Sequence, residues 1–206
     1  MLYIITLGFD EKFAIRFLLR HGVKSNDKVL IILPNDVNNN HKVQNALNNL
    51  ISLLNNLVKK ENVIITEIDL KEPIVKNVKK IKQKILEIGE NSICANLSGG
   101  MRALILLVVS TLLLLKNLDV KVEVEFENFE GYTEIPIKAF LVPKNDRWIR
   151  ILKSIYNGYG IRETARNLGL SPATISREVQ KLQELGLIDE KFNLTDSGKL
   201  YLELYE

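Results

Sequence analysis

Two short stretches carry residue types from which an anion site can be built. The first is Thr6-Leu7-Gly8-Phe9-Asp10, closing the apolar run that begins at Leu2. The second is Asn96-Leu97-Ser98-Gly99-Gly100-Met101-Arg102, set between the apolar run Ser92–Leu97 and the leucine- and valine-rich segment Ala103–Leu115. A Ser-Gly-Gly turn between a strand and a helix leaves backbone N–H groups free at the positive end of the helix dipole, which suits an anion. Arg102, in the first turn, adds a planar fork of donors for a phosphate or a base edge. Neither a G-x-G-x-x-G sequence nor a Walker lysine accompanies these glycines, so dinucleotide and P-loop readings fail. By spacing alone, a tight strand-to-helix turn with an exposed arginine fits about as well.

A third constellation lies near the C-terminus. Ile161 to Leu168 reads as a short helix ended by Gly169, which tolerates positive φ. Ser171 caps the next helix and Pro172 occupies its first turn, where no backbone donor is lost. Ala165 is small, as a close crossing of the two helices requires. Ile175, Val179, Leu182 and Leu185 form the inward stripe of the second helix; Ala173, Thr174, Ser176, Arg177, Gln180 and Lys181 face outward. A helix presented this way enters the major groove of double-stranded DNA with its N-terminal residues at base edges. The reading gives base contact to Thr174, Ser176 and Arg177, with Ser171 at the helix start. Phosphate contact falls to Gln180, Lys181, Arg162 and Arg166. Leu185–Ile188 and Phe192–Thr195 are expected to form a two-stranded wing, with Thr195 capping a final helix. Winged helices also serve as protein-contact modules. The small or basic outward positions favour DNA, Glu178 being the one carboxylate among them. Trp148 shares core spacing with Ile151, Leu152 and Ile155, so it is expected to pack rather than to stack on bases.

The elements that position these motifs follow two grammars. Residues 1–143 alternate apolar strands (Leu2–Leu7, Lys28–Leu33, Asn62–Ile68, Ser92–Leu97) with helices (Glu11–His21, Val43–Val58, Val75–Ile88, Met101–Leu115). Strands apolar on both faces and separated by helices imply an α/β, Rossmann-like, mostly parallel sheet covered on each side. Ligands bind such sheets outside the carboxyl ends of the strands, where both glycine motifs fall. Val120–Phe126 alternates valine with lysine or glutamate as a half-solvated strand does, and the stretch to Glu134 reads as an edge hairpin. A last strand is expected near Ala139–Val142. Pro143-Lys144-Asn145-Asp146 marks the boundary, and residues 144–206 form the winged helix-turn-helix. The run Asn38–Asn40 reads as a loop.

With its motifs in this order, the chain resembles the CRISPR-associated Rossmann-fold (CARF) transcription regulators of the Csa type, over essentially its whole length. The resemblance implies a homodimer that binds a cyclic oligoadenylate, most often cyclic tetra-adenylate, across its two-fold axis. It also implies CRISPR and cas promoters as targets. Carried over, the ligand contacts are Thr6, Leu7, Gly8 and Phe9 from the first motif, and Asn96, Ser98, Gly99, Gly100, Met101 and Arg102 from the second. Asp10 is read as a helix cap instead. A ring with two-fold symmetry suits a homodimer that offers it two identical half-sites. Some relatives of this kind slowly cut their ligand, so a ring nuclease is one alternative; a winged-helix regulator of an unrelated metabolite is another. His21 is expected to interact with the end of its own helix and His41 to sit in the asparagine-rich loop. No metal cluster or Ser-His-Asp arrangement is visible in the spacing, so the reading is of a non-enzyme without cofactor or metal, with slow ring cleavage left open.

Bulk properties agree. Hydrophobic residues make up 46% and charged residues 26%, a globular profile. Net charge is +3, and residues 147–206 hold nine Lys and Arg against eight Asp and Glu, so DNA contact must come from a local basic face. The single cysteine, Cys94, in an apolar run, reads as a buried thiol in a reducing compartment. No signal peptide is read at the N-terminus, and Ala103–Leu115 is too short to span a bilayer, so a cytoplasmic protein with no membrane role is expected.

Overall fold

The computed structural model describes residues 1–35 and 41–205; the Asn38–Asn40 run lies outside them. The chain divides into two compact units, Met1–Ile135 and Pro136–Glu206.

The first unit is built on one six-stranded sheet in the order β3-β2-β1-β4-β5-β6. Its strands are β1 (Leu2–Thr6), β2 (Lys28–Pro34), β3 (Val63–Ile68), β4 (Ser92–Asn96), β5 (Asp119–Glu125) and β6 (Tyr132–Ile135). The first five run parallel and β6 returns antiparallel at the edge, so the mostly parallel Rossmann-like sheet is as read. The central strands β1, β2 and β4 are almost wholly buried, because helices cover both faces and their β-branched and leucine side chains need no polar side.

Helices α1 (Lys12–His21) and α2 (His41–Leu57) cover one face, over a core of Tyr3, Ile5, Val29, Ile31, Cys94, Phe17, Leu18, Leu50 and Leu54. Helices α3 (Ile74–Ile88) and α4 (Arg102–Leu112) pack on each other. The chain moves outward from β1 through β2 to β3, then crosses back to place β4 on the other side of β1. That reversal is a topological switch point, where two adjacent strands send their following loops apart and leave a crevice.

Three expectations need correction. His41 opens α2 rather than sitting in a loop. The segment expected as a strand at Ala139–Val142 is instead helix α5 (Lys138–Leu141), and the strand beside β5 is β6. Ala139 and Val142 belong to the core of the second unit, so an apolar run too short to show its period was pulled into helix by tertiary packing. Finally, β5 is not half-solvated at its carboxylates: Glu123 and Glu125 are 1% and 4% exposed.

The second unit contains α5, α6 (Asp146–Tyr156), α7 (Ile161–Leu168), α8 (Pro172–Glu184) and α9 (Asp196–Tyr205) around one core. Gly169 ends α7 at φ 64°. Ser171 caps α8, its hydroxyl accepting from the N–H of Thr174, with Pro172 in the first turn. Ala165 is buried where α7 meets α8. Asn145 caps α6, and its N–H donates to the buried Tyr201 hydroxyl, which donates to the carbonyl of Pro143. The expected wing is a short antiparallel hairpin centred on the Ile188–Leu194 bridge, with the Asp189 N–H donating to the Asn193 carbonyl and the Thr195 N–H to the Leu187 carbonyl. Thr195 accepts from the N–H of Gly198, the predicted cap of α9.

Candidate functional site

The two glycine motifs, more than eighty residues apart in sequence, meet at the switch point between β1 and β4. The backbones touch: a Cβ on Gly8 would lie 2.6 Å from the Gly100 nitrogen, and one on Gly99 would lie 2.7 Å from the Thr6 carbonyl oxygen. Gly100 also takes φ 97°, a conformation that side chains rarely adopt. The glycines are therefore there so that two loops can share one place, and they leave a cavity of about 430 Å³ between them. Its lining includes Gly8, Phe9, Ser98, Gly99, Gly100 and Met101 from the motifs. Phe13, Pro34 and Val43 complete an apolar wall that the sequence reading missed, because they come from α1, β2 and α2. Pro34 was visible only as the end of a strand.

The remaining motif residues divide by depth. Phe9 and Met101 are exposed. The side chain of Leu7 is in the core, and only its backbone reaches the site, its carbonyl against Gly100. Thr6 and Asn96, carried over as contacts, are buried beneath the loop. The Thr6 hydroxyl donates to the Gly99 carbonyl at 2.6 Å, and Asn96 Oδ1 accepts from the N–H of Ser98 at 3.3 Å. Both of these bonds brace the loop, while Asn96 Nδ2 is buried with no hydrogen-bond partner among the described residues. The hydroxyl of Ser98 accepts from the N–H of Glu125 at 2.8 Å, which ties the loop to β5.

Behind the loop, α4 starts from Met101 with no side-chain cap, so its first N–H groups have no side chain answering them. Arg102 is exposed, with no ionic or hydrogen-bond partner among the described residues. Asp10, expected as the cap, lies one residue before the N-cap Glu11, which makes no side-chain cap bond; the Asp10 carboxylate accepts from the N–H of Lys12 and pairs with the Lys12 amine. The result is an apolar slot whose lining also holds Asp10 and Ser98, with Arg102 following the last lining residue, Met101.

A second cluster lies on α1's flank. Arg20 donates to both Glu123 and Glu125 at 2.8 and 2.9 Å, Arg16 donates to Glu125, and His21 Nε2 stands 2.8 Å from Glu123 Oε1. His21 therefore engages a buried carboxylate of β5, not the end of its own helix. Arg20 also lies 4.0 Å from the ring centre of Tyr132. Burial works against the Arg20 charge, but the two carboxylates outweigh it and hold its pKa above the usual value.

In the second unit, Thr174, Arg177, Gln180 and Lys181 line one shallow groove on the outer face of α8, with Glu178 and Glu184. Ser176, Arg162, Arg166 and Arg177 are exposed, and the three arginines have no partner among the described residues. Ser171 is spent on its cap. Glu178, the one carboxylate that threatened this face, is neutralised: Trp148 Nε1 donates to it at 2.7 Å, and Arg147 and Lys181 stand at 3.7 and 3.5 Å. The Trp148 hydrogen bond, ahead of the two cations, holds the Glu178 carboxyl below the usual carboxylate range. Trp148 packs, as expected, against the core of this unit.

These features define a Rossmann-like domain with a switch-point pocket, followed by a helix-turn-helix domain. Residues 1–137 match the Csa3 CRISPR-associated Rossmann-like domain, and residues 149–182 match a helix-turn-helix domain. The chain belongs to the family of that Rossmann-like domain. It is 26% identical over 201 residues to a protein of Saccharolobus solfataricus named as a CRISPR locus-related DNA-binding protein, Csa3, covering 92% of this chain and 80% of the relative. The crystal structure of protein VC1899 from Vibrio cholerae is similar at 14% identity and a TM-score of 0.45, over 98% of this chain. The chain spans 57% of the length of that structure. No helix among the described residues is long and apolar enough to cross a membrane.

Proposed function

We propose that this CRISPR-associated chain is a transcription regulator. On this reading it binds double-stranded DNA through α8 and a cyclic oligoadenylate, in the first instance cyclic tetra-adenylate, at the Gly8–Gly100 site of a homodimer. The observation that carries the ligand half is the backbone contact of Gly8 with Gly100, which joins two distant loops into one pocket beside an uncapped helix and an unpaired arginine. The apolar slot of Phe9, Phe13, Pro34, Val43 and Met101 suits the faces of an adenine. The N–H groups of the Gly99–Met101 turn and the Arg102 guanidinium suit its phosphates. Met101, Leu106 and Leu114, exposed on and just beyond α4, offer an apolar surface that a second copy would cover while setting two half-sites face to face.

The DNA half rests on the outward face of α8, where Ser176 and Arg177 are exposed and Thr174, bonded to the Ser171 hydroxyl, joins them toward base edges, with Gln180 and the Glu178-paired Lys181 toward phosphates and Arg162 and Arg166 flanking on α7. The relative from Saccharolobus solfataricus, named for DNA binding, supports it.

The test is a titration of the purified chain with cyclic oligoadenylates of several ring sizes, with linear products sought in the same samples. Stoichiometric binding without turnover is expected, and Arg102→Ala should weaken it about 10- to 100-fold, the worth of a charge-assisted contact. Turnover would make the chain a ring nuclease, and binding of no ring would leave a regulator of another metabolite. Arg177→Ala should cost about 1–3 kcal/mol on a cognate promoter while ring binding is spared. An unchanged promoter affinity would take Arg177 off the interface.

A further inference from the structure

We infer that His21, Cys94 and Glu123 form a binding site for one divalent cation of the zinc class, on the face of the sheet that α1 covers. This site is separate from the ligand pocket and does not rest on the proposed function. The three residues come from α1, β4 and β5, so no spacing in the sequence announces them. In the folded chain His21 Nε2, Cys94 Sγ and a Glu123 carboxylate oxygen all lie within 4.8 Å of one another.

The geometry is close to what zinc needs. Tetrahedral zinc with nitrogen, sulfur and oxygen ligands sets its donors roughly 3.4 Å apart for N and O, and roughly 3.6 Å apart for S with either. The observed separations are 2.8 Å for His21 to Glu123, 3.8 Å for Cys94 to His21 and 3.9 Å for Cys94 to Glu123. Shifts of about half an ångström, within ordinary side-chain freedom, convert one set to the other.

The supporting shell is already in place. Arg20 donates to Glu123 Oε2, which fixes the carboxylate and leaves Oε1 for an ion. The His21 ring is held edge-on against Phe17 at 4.8 Å and beside Tyr3, so Nε2 stays turned toward the cluster. Cys94 and Glu123 are buried, while His21 is partly exposed, which gives an entry path and a fourth position for water.

Without a cation, burial and the neighbouring Glu123 push the Cys94 thiol up to about 12. A bound cation reverses that preference, so each ion taken up releases the thiol proton and uptake strengthens as pH rises.

The full chain, stripped with chelator and then dialysed against Zn²⁺, should retain one zinc per chain. Co²⁺ in its place should give the near-ultraviolet band of a thiolate ligand, and zinc should raise the unfolding temperature. Cys94→Ser and His21→Gln should each abolish stoichiometric retention, whereas His41→Gln, on the other histidine, should keep it. Substoichiometric zinc in the wild type, or retention unchanged in both variants, would overturn the inference. Should either variant fail to fold, the cobalt spectrum of the wild type decides: a missing thiolate band rules the site out.

Discussion

Gly8 and Gly100 meet backbone to backbone, so their lack of a side chain is a steric requirement of the pocket. Gly8→Ala would drive a methyl group to 2.6 Å from the Gly100 nitrogen, a contact that only movement of one loop relieves. The expected cost is about 1–3 kcal/mol of stability in urea unfolding, with ligand binding lost alongside. Full stability with binding retained would mean that the loops separate freely. At this scale the glycines were legible as turns at two strand ends, although a plain strand-to-helix turn accounts for that pattern equally. The parts played by Thr6 and Asn96 were not, since depth beneath a loop is decided by packing. Glu123 and Glu125 were misread for a related reason. Their alternation with valine is the mark of a solvated face, yet that face meets the arginines and histidine of α1.

Among the elements, α8 shows how one helix serves two masters. Its inner stripe of Ile175, Val179 and Leu182 is buried in the core, and Glu178, between that stripe and the groove face, is locked to Trp148 of α6. Because the folded carboxylate sits below its usual range, the unfolded state binds the proton at higher pH than the folded one. The stabilisation from Glu178 is thus complete above the unfolded carboxylate value and is lost as pH falls through the lowered folded value. The stability gap between wild type and Glu178→Gln, followed by chemical unfolding across the acid range, should shrink as pH drops. A gap independent of pH would show that the carboxylate is not coupled to folding. The helix boundaries of this unit were readable because Gly169, Ser171 and Pro172 act locally. The short wing was readable as well, from two apolar runs flanking the Asp189-Glu190-Lys191 turn.

For the whole molecule, the proposed ring pocket in one unit and the proposed DNA-reading helix in the other make a regulator only if occupancy of one changes affinity at the other. Linkage then demands reciprocity: promoter DNA must change the affinity for the ring by the factor with which the ring changes affinity for DNA. Matched titrations, each with the other ligand saturating, measure both factors. Unequal factors at equilibrium are excluded by thermodynamics, and two factors of one would dissolve the proposed switch into two independent binding modules.

The sequence alone determined what acts over a few residues or through periodicity: a parallel sheet from strands apolar on both faces, the helix stops and caps of the helix-turn-helix, and the glycine turns at two strand ends. Only the tertiary structure decided which distant residues share a place. The order of the strands set Gly8 against Gly100, and the angle of α1 over β4 and β5 brought His21, Cys94 and Glu123 together. Contacts between residues far apart along the chain depend on how the sheet is ordered and covered, and no local pattern of side chains encodes that order.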